Sequence, residues 1–245
     1  MIRIFLGPLS GDESAITLDP QNSHYVRDVL RCTEGDPVAV FDGSGAELIC
    51  SVRSAGNPVV LAVEGRSSPR AIPSRRITVG QGMLKGAKMD LVVQKLSEIG
   101  VSALVPVCME RSQVRETAKV PRWRKIAVEA SRQCGRADVM EVRAAASLDE
   151  FLSELSTEGD DQVRLLFYEG GGSDLRVFEE SIRSAGSIVL SVGPEGGVAA
   201  DEVARFRRAG FQLVGLGGAI LRAETASIVS AGLVQYIAGH FSGLR

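Results

Sequence analysis

Two glycine-rich bends in the C-terminal third carry the residues best suited to chemistry. The first reads Ser191-Val192-Gly193-Pro194-Glu195-Gly196-Gly197 and leads through Asp201-Glu202 into a helical pattern. The second reads Gly215-Leu216-Gly217-Gly218-Ala219-Ile220-Leu221-Arg222-Ala223-Glu224-Thr225-Ala226 and opens the last helix. Each follows a strand-like segment, and ligands of open α/β sheets bind beyond the carboxyl ends of strands. Glycine there leaves backbone N–H groups bare and lets a ligand approach the main chain. Arg222 and Glu224 look like a buried pair, with the cation suited to stabilising developing negative charge and the carboxylate to orienting it.

Other chemistries find little support. The two histidines, His24 and His240, lie at opposite ends of the chain, and Cys32, Cys50, Cys108 and Cys134 include no C-x-x-C pair. That spacing argues against a zinc site, a disulfide framework and a Cys-His or Ser-His nucleophile, so reduced thiols and no metal are expected. No G-x-x-x-x-G-K-[ST] occurs, and Ile220 stands where the dinucleotide fingerprint needs its third glycine. No uninterrupted apolar run approaches the ~18 residues of a membrane helix. The start, Met1 to Pro8, is too short an apolar run for a signal peptide, so a cytoplasmic protein is expected.

Charge is distributed unevenly. Residues 1–75 carry 7 basic and 9 acidic side chains, residues 76–145 carry 13 and 7, and residues 146–245 carry 8 and 14. Arg111, Arg115, Lys119, Arg122, Arg124, Lys125, Arg132 and Arg136 fall in the basic stretch, with Trp123 among them. Such density suits phosphate contacts, although a solvated helix face would have the same composition.

The elements that must position these groups fall into two styles. Short apolar runs at 2–6, 15–18, 37–41, 47–52 and 59–63 alternate with turn signals and predict a small barrel. One helix interrupts them, capped at Asn22 or Ser23, with Tyr25, Val26, Val29 and Leu30 as its apolar stripe. His24, Arg27 and Arg31 recur at i, i+3 and i+7, on one face of that helix. The polar stretch 67–74 reads as a linker. Beyond it, strands at 77–80, 103–107, 164–167, 187–192 and 212–215 alternate with helices at 89–99, 120–133, 151–156, 174–184, 200–209 and 225–238. That alternation predicts an α/β domain with a largely parallel sheet.

Gly193-Pro194-Glu195-Gly196-Gly197, followed about 20 residues later by Leu216-Gly217-x-x-Ile220-Leu221-Arg222-x-Glu224-Thr225-Ala226, resembles the 16S ribosomal RNA (uracil-N3)-methyltransferase family, RsmE, of the SPOUT superfamily. Three further segments agree: 24–31, 85–100 and 129–136. One departure is visible, because Gly218-Ala219 stand where family members commonly show Pro-Arg. The resemblance implies a PUA-like β-barrel RNA-binding domain over residues 1–70 and a SPOUT α/β domain with a C-terminal trefoil knot over 75–245. It also implies S-adenosyl-L-methionine as cofactor, a homodimer, and methylation of N3 of a decoding-region uridine in the 16S rRNA of the 30S subunit.

Carried onto this chain, the cofactor pocket would comprise Gly193, Glu195 and Gly196, then Leu216, Gly217, Ile220, Leu221 and Arg222, with Tyr168 completing the wall. Arg222 and Glu224 would be catalytic. His24, Arg27, Arg31, Lys85, Lys88, Arg111 and Arg136 would face RNA. The final helix, with Ile228, Val229, Leu233, Val234 and Ile237, has the apolar circumference of a dimer interface or of a buried core. The residues leave open a ribose 2′-O or transfer-RNA methyltransferase and a non-catalytic RNA-binding assembly factor on the same scaffold, with a Rossmann dehydrogenase more distant.

Overall fold

β-branched and aromatic residues alternating with polar ones make the N-terminal segments strands. In the computed structural model, which describes residues 1–10, 12–67, 75–155 and 161–241, these are β1 (Ile2–Phe5), β2 (Ala15–Thr17), β3 (Pro37–Phe41), β4 (Glu47–Ser54) and β5 (Val60–Arg66). They form one sheet in the order β1-β3-β4-β5-β2. β1 pairs with β3 in parallel and the remaining ladders are antiparallel. One face buries Ile4, Ile16, Val26, Val38, Val40, Leu48, Cys50, Val52 and Leu61 as a single core. Burial, followed by the charge of Glu64, pushes the Cys50 thiol up to about 11, which keeps it an inert core residue.

The helix of this unit starts earlier than the sequence suggests. Asp19, not Asn22 or Ser23, caps α1 (Pro20–His24), with its side chain accepting from Gln21 N at 2.8 Å and Asn22 N at 3.0 Å. Pro20 follows at the first helical position, where its missing N–H costs nothing. A π-helical turn, Tyr25–Val29, continues α1. It closes with Cys32 N donating to Val26 O at 3.0 Å across Arg31, which sits at φ +55°. His24, Arg27 and Arg31 therefore do not share an α-helical face, since the π turn changes the angular step and Arg31 lies beyond it.

The chain divides into two compact units, Met1–Ile72 with Ser131–Val139, and Pro73–Ala130 with Met140–Arg245. The assignment of 131–139 to the first unit departs from a simple division at the 67–74 stretch, most of which lies outside the described residues. Its contacts there are specific: Gly45 N donates to Ala137 O at 3.2 Å, and Arg3 Nη1 reaches Arg136 O at 3.0 Å.

The second unit contains β6 (Arg76–Gly82), α2 (Lys88–Ile99), β7 (Ala103–Cys108), α3 (Val120–Cys134) up to Ala130, β8 (Glu141–Val142), β9 (Ala146–Ser147) and α4 (Leu148–Leu155). There follow β10 (Gln162–Phe167), β11 (Ser173–Asp174), α5 (Glu179–Ser184), β12 (Ser187–Val192), α6 (Ala200–Arg208), β13 (Gln212–Gly215) and α7 (Ala223–Ile237). The strands form a sheet in the order β11-β13-β10-β12-β6-β7-β8, with β9 beside β7, and every ladder is parallel. The central strands β6, β7 and β12 are buried along most of their length, as strands covered on both faces must be. The predicted helix 174–184 is a 3-10 turn, Leu175–Phe178, followed by the short α5.

Candidate functional site

β10 lies between β12 and β13, so the carboxyl ends of these three strands stand side by side. A cavity of about 530 Å³ opens there, a size typical of small-molecule sites. Three segments contribute to its lining, from the end of β10 (Phe167, Tyr168, Glu169 and Gly171), from the end of β12 (Val192 to Gly197) and from the end of β13 (Gly215 to Glu224, and Ala226), with Lys88 added from α2. Both glycine bends thus serve one space. Every residue predicted for the cofactor, Tyr168, Gly193, Glu195, Gly196, Leu216, Gly217, Ile220, Leu221 and Arg222, lies on its wall, as does Glu224.

The first bend is fixed from several sides. Gly197 N donates to Pro194 O at 2.9 Å, and Gly197 adopts φ +75°, in the left-handed region that favours glycine. Glu195 Oε1 accepts from Lys85 N at 3.1 Å and from Lys88 Nζ at 3.0 Å. Glu169 Oε1 accepts from Val198 N at 3.0 Å. Glu202, buried at the start of α6, accepts from Ala199 N at 3.1 Å and from Glu110 N, just past β7, at 2.8 Å. Gln81 Nε2 donates to Gly193 O at 3.3 Å and Arg111 Nη1 to Gly196 O at 3.2 Å. Burial raises the Glu195 pKa, but hydrogen bonds from Lys88 and from the backbone N–H groups of Glu195 and Lys85 outweigh it and hold the carboxyl below its ordinary value. This carboxylate is therefore ionised at neutral pH, and its contribution fades only as pH falls through that lowered pKa.

The second bend is open to solvent by comparison. Ile220 is 84% exposed, and no atom lies within 4 Å of where a Cβ on Gly217 or Gly218 would stand. The expected buried Arg222–Glu224 pair does not form. Arg222 is exposed, extended at the N-cap of α7, and its guanidinium has no partner among the described residues. Glu224, in the first turn of the helix, is 9% exposed, and its Oε2 is buried without a partner among the described residues. The Oε2 of Glu195 is in the same state. Two carboxylate oxygens on this wall therefore have unused accepting capacity, an arrangement that costs stability unless a ligand donor meets them.

The residues predicted to face RNA are scattered in their circumstances. His24 Nδ1 and Arg27 both bond Asp28, whose carboxyl these contacts, Arg27 first, lower to about 2. Arg136 pairs with Asp138, Lys88 with Glu195, and Arg111 with Gly196 O. Lys85 and Arg31 are exposed, with side chains that have no partner among the described residues. Trp123 is not an RNA-stacking residue: it is 2% exposed and donates from Nε1 to Asp90 Oδ1 at 3.0 Å. Glu169, Glu202 and Gln81, which shape the first bend, were not singled out by sequence. Glu202 alone left a signal, as an acidic residue in the first turn of a helix.

No group of His, Cys, Asp and Glu able to hold a metal ion occurs among the described residues, and no described helix is long and apolar enough to cross a membrane. The fold and this cavity are those of an RNA methyltransferase domain, and the family model of that description matches residues 71–235. The ribosomal RNA small subunit methyltransferase E of Bacillus subtilis is 30% identical over 225 residues, which cover 87% of this chain and 86% of that protein. That of Aquifex aeolicus is 32% identical over 194 residues, covering 76% and 80%. The chain belongs to this family. A crystal structure of a ribosomal RNA small subunit methyltransferase E from Neisseria gonorrhoeae, bound to S-adenosyl methionine, matches with a TM-score of 0.88 and 29% identity, covering 99% of this chain and 100% of that one.

Proposed function

We propose that this protein transfers a methyl group from S-adenosylmethionine to N3 of a uridine in the decoding region of 16S rRNA, acting on the 30S subunit in the cytoplasm. The observation that carries the reading is the meeting of both glycine bends and the end of β10 on one cavity. The chemistry of the wall fits the donor. Bare backbone groups of the bends suit the edge of an adenine, and Leu216 and Leu221 suit its faces. The orphaned Glu195 Oε2 suits an ammonium. When bound, the donor supplies an electrophilic methyl carbon.

The chain's own residues must then make N3 nucleophilic. Uridine N3 is a weak acid, and in this reading Glu224 Oε2, buried and unpartnered, accepts its proton. The unpaired guanidinium of Arg222 stabilises the negative charge that develops on the uracil. Holding base and donor in line contributes further, on the order of 7–11 kcal/mol in favourable models. Residues 75–245 would contain the knotted SPOUT domain, and residues 1–70 would dock the RNA as a PUA-like module through His24, Arg27 and Arg31. Arg136, Lys85, Lys88 and Arg111 would add contacts to the RNA backbone. The test is calorimetric titration with S-adenosylmethionine followed by incubation with 30S subunits and nucleoside analysis of the 16S rRNA. Binding together with 3-methyluridine is expected. Absence of binding at millimolar donor, or methyl groups found only on ribose, would overturn the reading.

The same reading makes the protein a homodimer. Val229, Leu233 and Tyr236 form an exposed apolar stripe on α7 at helical spacing, and Leu91 of the adjoining α2 is exposed as well. Leu233→Glu is expected to convert a sedimenting dimer to a monomer at micromolar concentration, while a wild-type monomer under the same conditions would remove the dimer from the reading.

A further inference from the structure

The cavity wall contains a contact that the motifs do not describe. Glu169 follows β10, and its Oε1 accepts from Val198 N, the amide immediately after the first bend, at 3.0 Å. β10 and β12 pair in parallel up to Phe167 and Val192, so the carboxylate crosses from one strand end to the loop of its neighbour. Gly197 lies under it: a Cβ added there would stand 1.8 Å from the same Oε1. Glycine at 197 therefore leaves the space the carboxylate occupies, and its φ of +75° is one that glycine adopts without strain. Glu169 and Gly197 both line the cavity.

We infer that Glu169 is a positioning residue for the methyl-donor site, holding the first bend in the shape that presents its backbone to the ligand. The inference rests on the proposed donor pocket. Without the carboxylate, Val198 N would lose the acceptor it has among the described residues, and the bend would have to order itself at the moment of binding. That ordering lowers affinity rather than the rate of the bound complex.

The test compares wild type, Glu169→Gln and Glu169→Ala in calorimetric titrations with S-adenosylmethionine, well below each variant's melting temperature. Glu169→Gln keeps an acceptor oxygen and is expected to bind within about threefold of wild type. Glu169→Ala is expected to bind roughly tenfold to a hundredfold more weakly, the range of one charge-assisted hydrogen bond. Hydrogen exchange at the Val198 amide should accelerate in Glu169→Ala and be restored in Glu169→Gln. Unchanged affinity in a folded Glu169→Ala would overturn the inference, as would a Glu169→Gln variant as weak as Glu169→Ala, because the role would then be charge rather than position. Failure of the wild type to bind would instead overturn the donor pocket. Should Glu169→Ala not fold, Glu169→Gln alone decides through the exchange rate of Val198, which must stay at the wild-type level.

Discussion

A Gly82→Ala chain is expected to lose the cavity together with a large part of its stability. The added Cβ would stand 2.4 Å from Pro194 N and 2.7 Å from Gly193 C. Both are backbone atoms of the first bend, and Gly82 is itself buried at the end of β6. Overpacking of a core costs about 1–3 kcal/mol when side chains can yield, and backbone yields less, so the upper end or more applies here. For a chain of this size that corresponds to a melting temperature lower by roughly 6–12 °C. Affinity for S-adenosylmethionine should fall by about a hundredfold or more, because Gly193 and Pro194 are displaced into the ligand's space. Gly80→Ala provides the contrast. Its Cβ would meet the ring tip of Phe151 at 2.4 Å, which is a side chain and not on the cavity wall. It should lower the melting temperature while leaving affinity within a few-fold. Equal loss of affinity in the two variants would show that general destabilisation, not the Gly82–Pro194 contact, governs the pocket.

The second large effect concerns turnover. Arg222→Ala should lower the rate of methyl transfer to 30S subunits by about 10²–10³, the usual loss when a donor aimed at developing charge is removed. The affinity for S-adenosylmethionine should change by less than about threefold, because the guanidinium makes no cap hydrogen bond and has no partner among the described residues through which to shape the bend. Arg222→Lys should recover only part of the rate, since an ammonium keeps the charge but not the planar fork. Single-turnover measurements at saturating donor separate these quantities. Equal losses in binding and rate would reassign Arg222 to holding the donor.

Sequence patterning went far toward this architecture where segments were long. The strands 77–80, 187–192 and 212–215 and the helix 120–133 recur within a few residues because buried parallel strands are mostly apolar and amphipathic helices repeat. β8, β9 and β11 have two residues each and so no period to read. The start of α1 is ambiguous in the sequence because Asp19, Asn22 and Ser23 are all competent caps within five residues. Only Asp19 precedes Pro20, and that dipeptide carries the distinguishing signal. The membership of 131–139 in the first unit depends on Gly45 and Arg3, nearly 100 or more positions away, and no local pattern encodes it.

The site was legible to the extent that it is made of glycine. The two bends declare themselves by composition, and their convergence follows from strands ending side by side. The carboxylates that brace the first bend do not declare themselves, because their partners are main-chain amides remote in sequence, 29 residues away for Glu169 and 92 for Glu202. Proximity misled in the opposite sense for Arg222 and Glu224. Two positions apart, they seem a natural pair, yet one is extended at the helix cap and the other turns inward in the first helical turn.

The three braces on the first bend have a consequence for how a ligand enters and leaves. Glu169, Glu195 and Glu202 tie that wall to the ends of β10, β6 and β7, so it has little freedom left to surrender on binding. Leu216 to Leu221, opposite, has no comparable ties among the described residues, and the side chain of Ile220 projects into water. One jaw is an anvil and the other is a compliant finger. The adjustment expected on binding therefore falls on the Ile220 side of the cavity and not on the braced wall.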